Sequence, residues 1–116
     1  MNRSFSLRSG SDFQRVWDEG KSWSHPLVVL RACANRMNTC RFAFVAGKKV
    51  GKATVRNRAK RLMREAVRHR LPTIAPGWDM IWIARAGAEH AEFKDVDSAV
   101  QTLLQRAHLI AIETER

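Results

Sequence analysis

No window of this 116-residue chain is long and apolar enough to suggest a membrane span, and its opening, MNRSFSLRSG, lacks the apolar run of a secretory signal. These absences set the expectation of a cytoplasmic protein with no membrane partner. Cysteine is scarce: Cys33 and Cys40 are the two in the chain. They flank a short polar turn that would bring them face to face across a hairpin. Two thiols in a cytoplasmic chain read as reduced and partly buried in preference to a disulfide or a metal pair. The four histidines, His25, His69, His90 and His108, show neither relay nor ligand spacing, and the acids are scattered. No catalytic residue and no metal ligand is assigned.

Acid is scarcest where base is most dense. The segment KKVGKATVRNRAKRLMREAVRHR, residues 48–70, holds ten of the 21 Lys and Arg and a single acid, Glu65. It carries nearly all of the formal net charge of +10. Basicity this local points to a binding face for a polyanion and away from general solubility. An apolar share of 45% is ordinary for a globular fold, so one folded domain over 1–116 is expected, with residues 1–8 loosely ordered.

Periodicity gives a coarse map. Phe13, Val16 and Trp17 share one face of a short helix that Ser9 or Ser11 can cap and Gly20 can end. Leu27–Cys33 and Arg41–Ala46 read as two strands of an antiparallel hairpin around ANRMNT. A helix follows, with Thr54 as the expected cap and apolar residues at 55, 59, 62, 63, 66 and 67. Trp78–Ala84 is apolar enough for the inside of a sheet, and Asp95 or Asp97 opens a last helix buried through Val96, Ala99, Val100, Leu103, Leu104 and Ala107. Trp23, Trp78 and Trp82 are assigned to packing. The order α-β-β-α-β-α describes a small α+β domain, a sheet with helices packed on it.

On a helical wheel Lys60, Arg64 and Arg68 climb one stripe from Arg56, with Arg61 beside it, roughly opposite the apolar stripe. Like charges four residues apart repel, so this rail is poor helix design unless an anionic partner neutralises it. Arginine suits bidentate contact with phosphate. The loop GKKVGKAT is not a nucleotide-binding P-loop: three residues separate Gly47 from Gly51 where four are needed, and Ala53 stands where a hydroxyl would hold magnesium. Its amides can still meet nucleic-acid phosphate near a helix N-terminus.

KKVGKATVRNRAKRLMREAVR, with Arg56-Asn57-Arg58 at its centre, resembles the signature of the bacterial ribonuclease P protein subunit. LRSGSDFQRVWDEG resembles that family's first helix, RFAFVAGKK its strand into the basic loop, and DMIWIARAGA its next strand and exit. The resemblance runs from about Leu7 to Leu104. Gly47 stands where the family usually has a small hydroxyl residue, and Trp17 where it often has Phe.

The resemblance implies a ribosomal protein S5 domain 2-like fold, with a left-handed βαβ crossover through the basic helix. It also implies an accessory subunit of a ribonucleoprotein endonuclease. The RNA subunit would remove the 5′ leader of precursor tRNA, using Mg2+ that it holds itself, and no protein partner would be obligatory. Lys48, Lys49, Lys52, Arg56, Asn57, Arg58, Lys60, Arg61, Arg64 and Arg68 would bind the catalytic RNA. Phe13, Trp17, Arg31 and Arg85 would line a cleft for the leader. Periodicity alone makes Phe13 and Trp17 core residues. Two other readings compete: a structural RNA-binding protein such as a ribosomal protein, and a DNA-binding helix-turn-helix module, which lacks a helix directly before the basic one.

Overall fold

The computed structural model describes residues 5–111. Helix α1 (Gly10–Glu19) is followed by strands β1 (Lys21–Ser24), β2 (Val28–Ala34) and β3 (Arg41–Ala46), helix α2 (Ala53–Arg68), strand β4 (Trp78–Ala84) and helix α3 (Phe93–Arg106). The expected order is present with one short strand added. β1 escaped notice because KSWS has a single apolar residue to alternate with. The sheet order is β1-β2-β4-β3.

The hairpin expected of β2 and β3 does not form. β4 lies between them, antiparallel to β2 and parallel to β3. β4 needs that place because it is apolar on both faces: Met80 and Trp82 point to one side and Ile81 to the other, all fully buried. The turn after β2 is held open around the start of β4. The Asn35 amide donates to the Gly77 carbonyl at 2.9 Å, and the Gly77 amide donates to the Thr39 carbonyl at 3.2 Å. Cys33 and Cys40 are consequently both free and do not face one another across a hairpin. Burial pushes the Cys40 thiol above its usual range.

β3, α2 and β4 form a crossover between neighbouring parallel strands. It is consistent with the left-handed sense that the family resemblance implies, against the general right-handed preference. α2 and α3 cover one sheet face. Ala59, Met63, Ala66 and Val67 of α2, and Val96, Ala99, Val100, Leu103 and Leu104 of α3, close over Val28, Leu30, Phe42, Met80 and Trp82. Trp23 and Trp78 pack at the margin of this core. The opposite face is covered in part by α1, where Val16 meets Leu7 and Ile81.

Local signals explain most helix ends. The Ser9 hydroxyl accepts the Asp12 amide at 3.4 Å and so caps α1. α3 opens two residues before Asp95, at a reciprocal capping box of Glu92 and Asp95. Asp97 instead pairs with Arg70 at 2.5 Å. Thr54 does not cap α2: that helix begins at Ala53, with Lys52 at the cap and no side-chain cap bond. Within the stretch expected to be loosely ordered, Ser6 bridges Phe42 and Leu7 is buried, while residues 1–4 lie outside the described residues.

Gly20 ends α1 where the chain turns into β1. A Cβ there would stand 2.4 Å from the Val16 carbonyl oxygen and 3.0 Å from that of Ala32, both backbone atoms that cannot yield separately. Gly20→Ala is expected to destabilise the protein by about 1–3 kcal/mol, read as a lower urea midpoint at unchanged m-value.

Candidate nucleic-acid interface

The basic segment begins as a single 3-10 turn, Lys48–Val50, anchored by buried Val50. Gly51 follows at φ 144°, in the region that favours glycine, and swings the chain into α2. Because α2 buries its apolar stripe against the sheet and α3, its remaining surface faces outward. Lys48, Lys49, Lys52, Asn57, Arg61, Arg64 and Arg68 are exposed, and Arg56, Arg58 and Lys60 are half-buried. The structure thus brings the ten expected RNA-binding residues onto one element and its leading turn. The helix N-terminus adds uncapped amides beside Lys48, Lys49 and Lys52, so its positive end points the same way. Arg58 and Arg61 share a shallow concavity with Thr54, Val55 and Asn57. α2 is preceded by β3 and the 3-10 turn, so no helix-turn-helix pair exists here.

Not every base in the segment is free. Arg70 turns inward to Asp97, Gln101 and the Ala66 carbonyl, and its role is to tie α2 to α3. Arg68 grips Glu65, the one acid of the segment, and its hydrogen bond holds that carboxyl below the usual carboxylate range. Arg64 places its guanidinium carbon 5.3 Å from the Phe44 ring centroid. The Arg56 Nε is buried and has no acceptor among the described residues.

A second surface lies across the sheet, beside α1. Phe13 and Trp17 stack with ring centroids 6.1 Å apart and planes 11° from parallel. Trp17 is 45% exposed and is not the core residue that periodicity suggests, whereas Phe13 is half-buried and packs against the cluster of Leu7, Val16 and Ile81. Arg31, at the middle of β2, sends Nη2 to the carbonyls of Trp17 (2.5 Å) and Gly20 (3.0 Å), and its guanidinium carbon stands 5.6 Å from the Trp17 centroid. Half-buried Val29, Ala43, Val45 and Ile83 continue this sheet face beyond Arg31. Arg85 is exposed just past β4, on the same alternation as Ile81 and Ile83, and donates to the His25 carbonyl at 3.4 Å. Phe13, Trp17 and Arg31 therefore meet, while Arg85 stands apart at the end of the strand.

α1 is pinned in place by a group that sequence reasoning missed. Asp79 is fully buried near the start of β4. It accepts Arg15 of α1 at 2.5 Å, Nε and Nη2 of Arg41 at 2.9 and 2.7 Å, and the Asn35 side chain at 2.9 Å. Arg41 also reaches back to Asp12 of α1 at 3.1 Å. Arg15 lies between Phe13 and Trp17 in the chain, so holding Arg15 sets where both rings stand. The available signal was an acid inside an otherwise apolar strand, WDMIWIA, which a buried position tolerates only with full pairing.

The sequence matches the family model described as Ribonuclease P over residues 1–108. The Ribonuclease P protein component of Herpetosiphon aurantiacus is 48% identical over 109 residues, covering 94% of this chain and 89% of that relative. This chain belongs to the ribonuclease P protein family. The family member of Clostridioides difficile is 38% identical over 109 residues, covering 93% and 96% of the two chains. The RNase P protein of Thermotoga maritima superposes with a TM-score of 0.79 at 33% identity, covering 94% of this chain and 98% of that one. That of Staphylococcus aureus gives 0.84 at 27% identity, with 92% and 98% covered. Family membership carries tRNA processing and RNA binding as the protein's general character.

Asp79→Asn leaves two half-buried guanidinium groups facing a neutral amide. It is expected to cost about 3–5 kcal/mol, measured by urea unfolding. A loss below about 1 kcal/mol, the range of exposed pairs, would show that the ion cluster is not what holds α1.

Proposed function

We propose that this chain is the accessory protein of a cytoplasmic ribonucleoprotein that removes the 5′ leader of precursor tRNA. In this reading the catalytic RNA is gripped by the α2 rail and the leading turn, and the unpaired leader lies along α1 and the open sheet face. The chemistry belongs to the RNA, with Mg2+ held there. Among the described residues no three His, Cys, Asp or Glu side chains converge as a metal-binding cluster.

The observation that carries the proposal is the stack of half-buried Phe13 and exposed Trp17 beside Arg31, on the opposite side of the sheet from the rail. A rail alone would serve any structural RNA-binding protein. A second surface with aromatic faces and a guanidinium matches what single strands require: stacking for unpaired bases and positive charge for their phosphates. The separation across the sheet lets one rigid domain hold two RNAs at once.

Reconstitution tests this. Added to its ribonuclease P RNA at low Mg2+, the protein is expected to raise precursor cleavage and to favour precursor over mature tRNA. Equal affinity for the two would favour the structural RNA-binding alternative. Phe13→Ala is expected to reduce leader-dependent affinity by roughly 5- to 150-fold, from about 1–3 kcal/mol of stacking. Binding to the RNA subunit should be unchanged. Arg58→Ala combined with Arg61→Ala is expected to do the reverse, weakening RNA-subunit binding and lowering its log–log salt slope by about 2.

A further inference from the structure

A third surface adjoins the rail, sharing Arg64 with it, and takes in Ala43 of the open sheet face. It is a groove of about 270 Å3 between the N-terminal segment and α2, floored by β3. Ser6 bridges Phe42, and the Leu7 amide donates to the Phe42 carbonyl at 2.8 Å, so the N-terminal segment forms one wall. Arg64 forms the other, and Arg8 stands at the rim. On the floor Phe42 and Phe44 stack at 6.4 Å with planes 24° apart. Phe42 is buried, Phe44 is half-covered, and Arg64 lies over Phe44.

The manner in which Arg64 is held is informative. Neither Arg64 nor Arg8 has a carboxylate partner among the described residues. Arg15, Arg41 and Arg70, by contrast, are fixed by acids. Arg64 is instead steadied by an aromatic face. A guanidinium group is flat and weakly hydrated, with two faces available for stacking. Arg64 stands over Phe44 and also lines the groove, and its N–H groups have no acceptor among the described residues, so they keep their capacity to donate. A lysine would supply the same charge without a face.

Resting on the reading of α2 as an RNA-gripping helix, we propose that this groove is a subsite for one unpaired nucleobase of the partner RNA. The base stacks on the Arg64 guanidinium beside the Phe42–Phe44 pair, and Arg8 meets the flanking phosphate. Holding Arg64 in place beforehand lowers the entropy lost on binding, and base stacking is sequence-tolerant, so the subsite selects an unpaired nucleotide more than a particular base. A β-strand from another polypeptide is a poorer occupant, since the Phe42 carbonyl on that edge of β3 is already bonded to Leu7.

The test separates charge from stacking. Dissociation constants for the reconstituted ribonuclease P RNA are measured over a salt series for the full chain and for Arg64→Lys, Arg64→Ala and Phe44→Leu. Arg64→Lys is expected to weaken binding by about 5- to 50-fold with the log–log salt slope unchanged, because charge is kept and the stacking face is lost. Phe44→Leu is expected to weaken binding in the same way, with its urea midpoint checked to exclude unfolding. Arg64→Ala should add a drop of about 1 in slope. In thionucleotide photocrosslinking, the crosslink to the Phe44 region should fall on an unpaired nucleotide. Arg64→Lys binding within about twofold of the parent would make Arg64 a phosphate clamp and overturn the subsite, as would a crosslink confined to base-paired positions. If the parent chain itself fails to bind with a salt-dependent affinity, the RNA-gripping reading falls, and the subsite with it.

Discussion

A carboxylate with no solvent access must be neutralised by its surroundings, and the rest of this structure is arranged around that demand at Asp79. Two guanidinium groups and a carboxamide meet it, drawn from α1, from β3 and from the turn after β2. α1 is separated from the other two by β1 and β2. Leaving any of the charges unpaired is far more costly than forming an exposed ion pair is rewarding. The cluster therefore acts as a positional constraint: β3 must lie beside β4, and α1 must cross the sheet where Arg15 can reach. The aromatic pair on α1 inherits its position from that anchor, although neither ring touches the carboxylate.

The arginines divide by the company they keep. Arg15, Arg41 and Arg70 are bound to acids inside the molecule, and Arg31 to two carbonyls. These four hold the scaffold. Next to α2's C-terminus, Glu65 engages Arg68 and lies 3.5 Å from His69, leaving Arg58, Arg61 and Arg64 without carboxylate partners among the described residues. Uncompensated charge on a helix is a standing repulsion that an anionic partner relieves. The energy withheld from folding on that face is available for association. Electrostatic attraction of this kind is long-ranged and salt-sensitive, whereas the stacked rings act only on contact. The two surfaces thus suit capture of a large folded polyanion and local sorting of its unpaired strands.

How much was legible depended on the range of the signal. The buried stripes of α2 and α3 could be named residue by residue, since a helix repeats every 3.6 residues whatever lies beyond it. The exposed rail followed from the same arithmetic. β4 was recognised as internal from its composition. The pairing of β2 with β3 was misread because proximity in the chain favours a hairpin, while the deciding fact was that β4 has two apolar faces and needs a neighbour on each side. The Thr54 cap was misplaced by two residues, the usual limit where α2 opens on Lys52 without a side-chain bond. Trp17 was indistinguishable from core by spacing, because the wheel gives the side of a helix but not how much of that side the sheet covers.

By itself the sequence determined where helices run, which of their sides are apolar, and that nearly all of the net positive charge collects on one of them and the residues that flank it. Those properties are local: they depend on residues within a few turns of each other. Only the tertiary structure decided that β4 enters between β2 and β3, that Asp79 is gripped by two distant arginines, and that Trp17 stays exposed while Phe13 is half-buried and Val16 is buried. Each of these turns on which segments meet across the sheet, and that is set by global burial and charge pairing, for which no short stretch of chain carries the instruction.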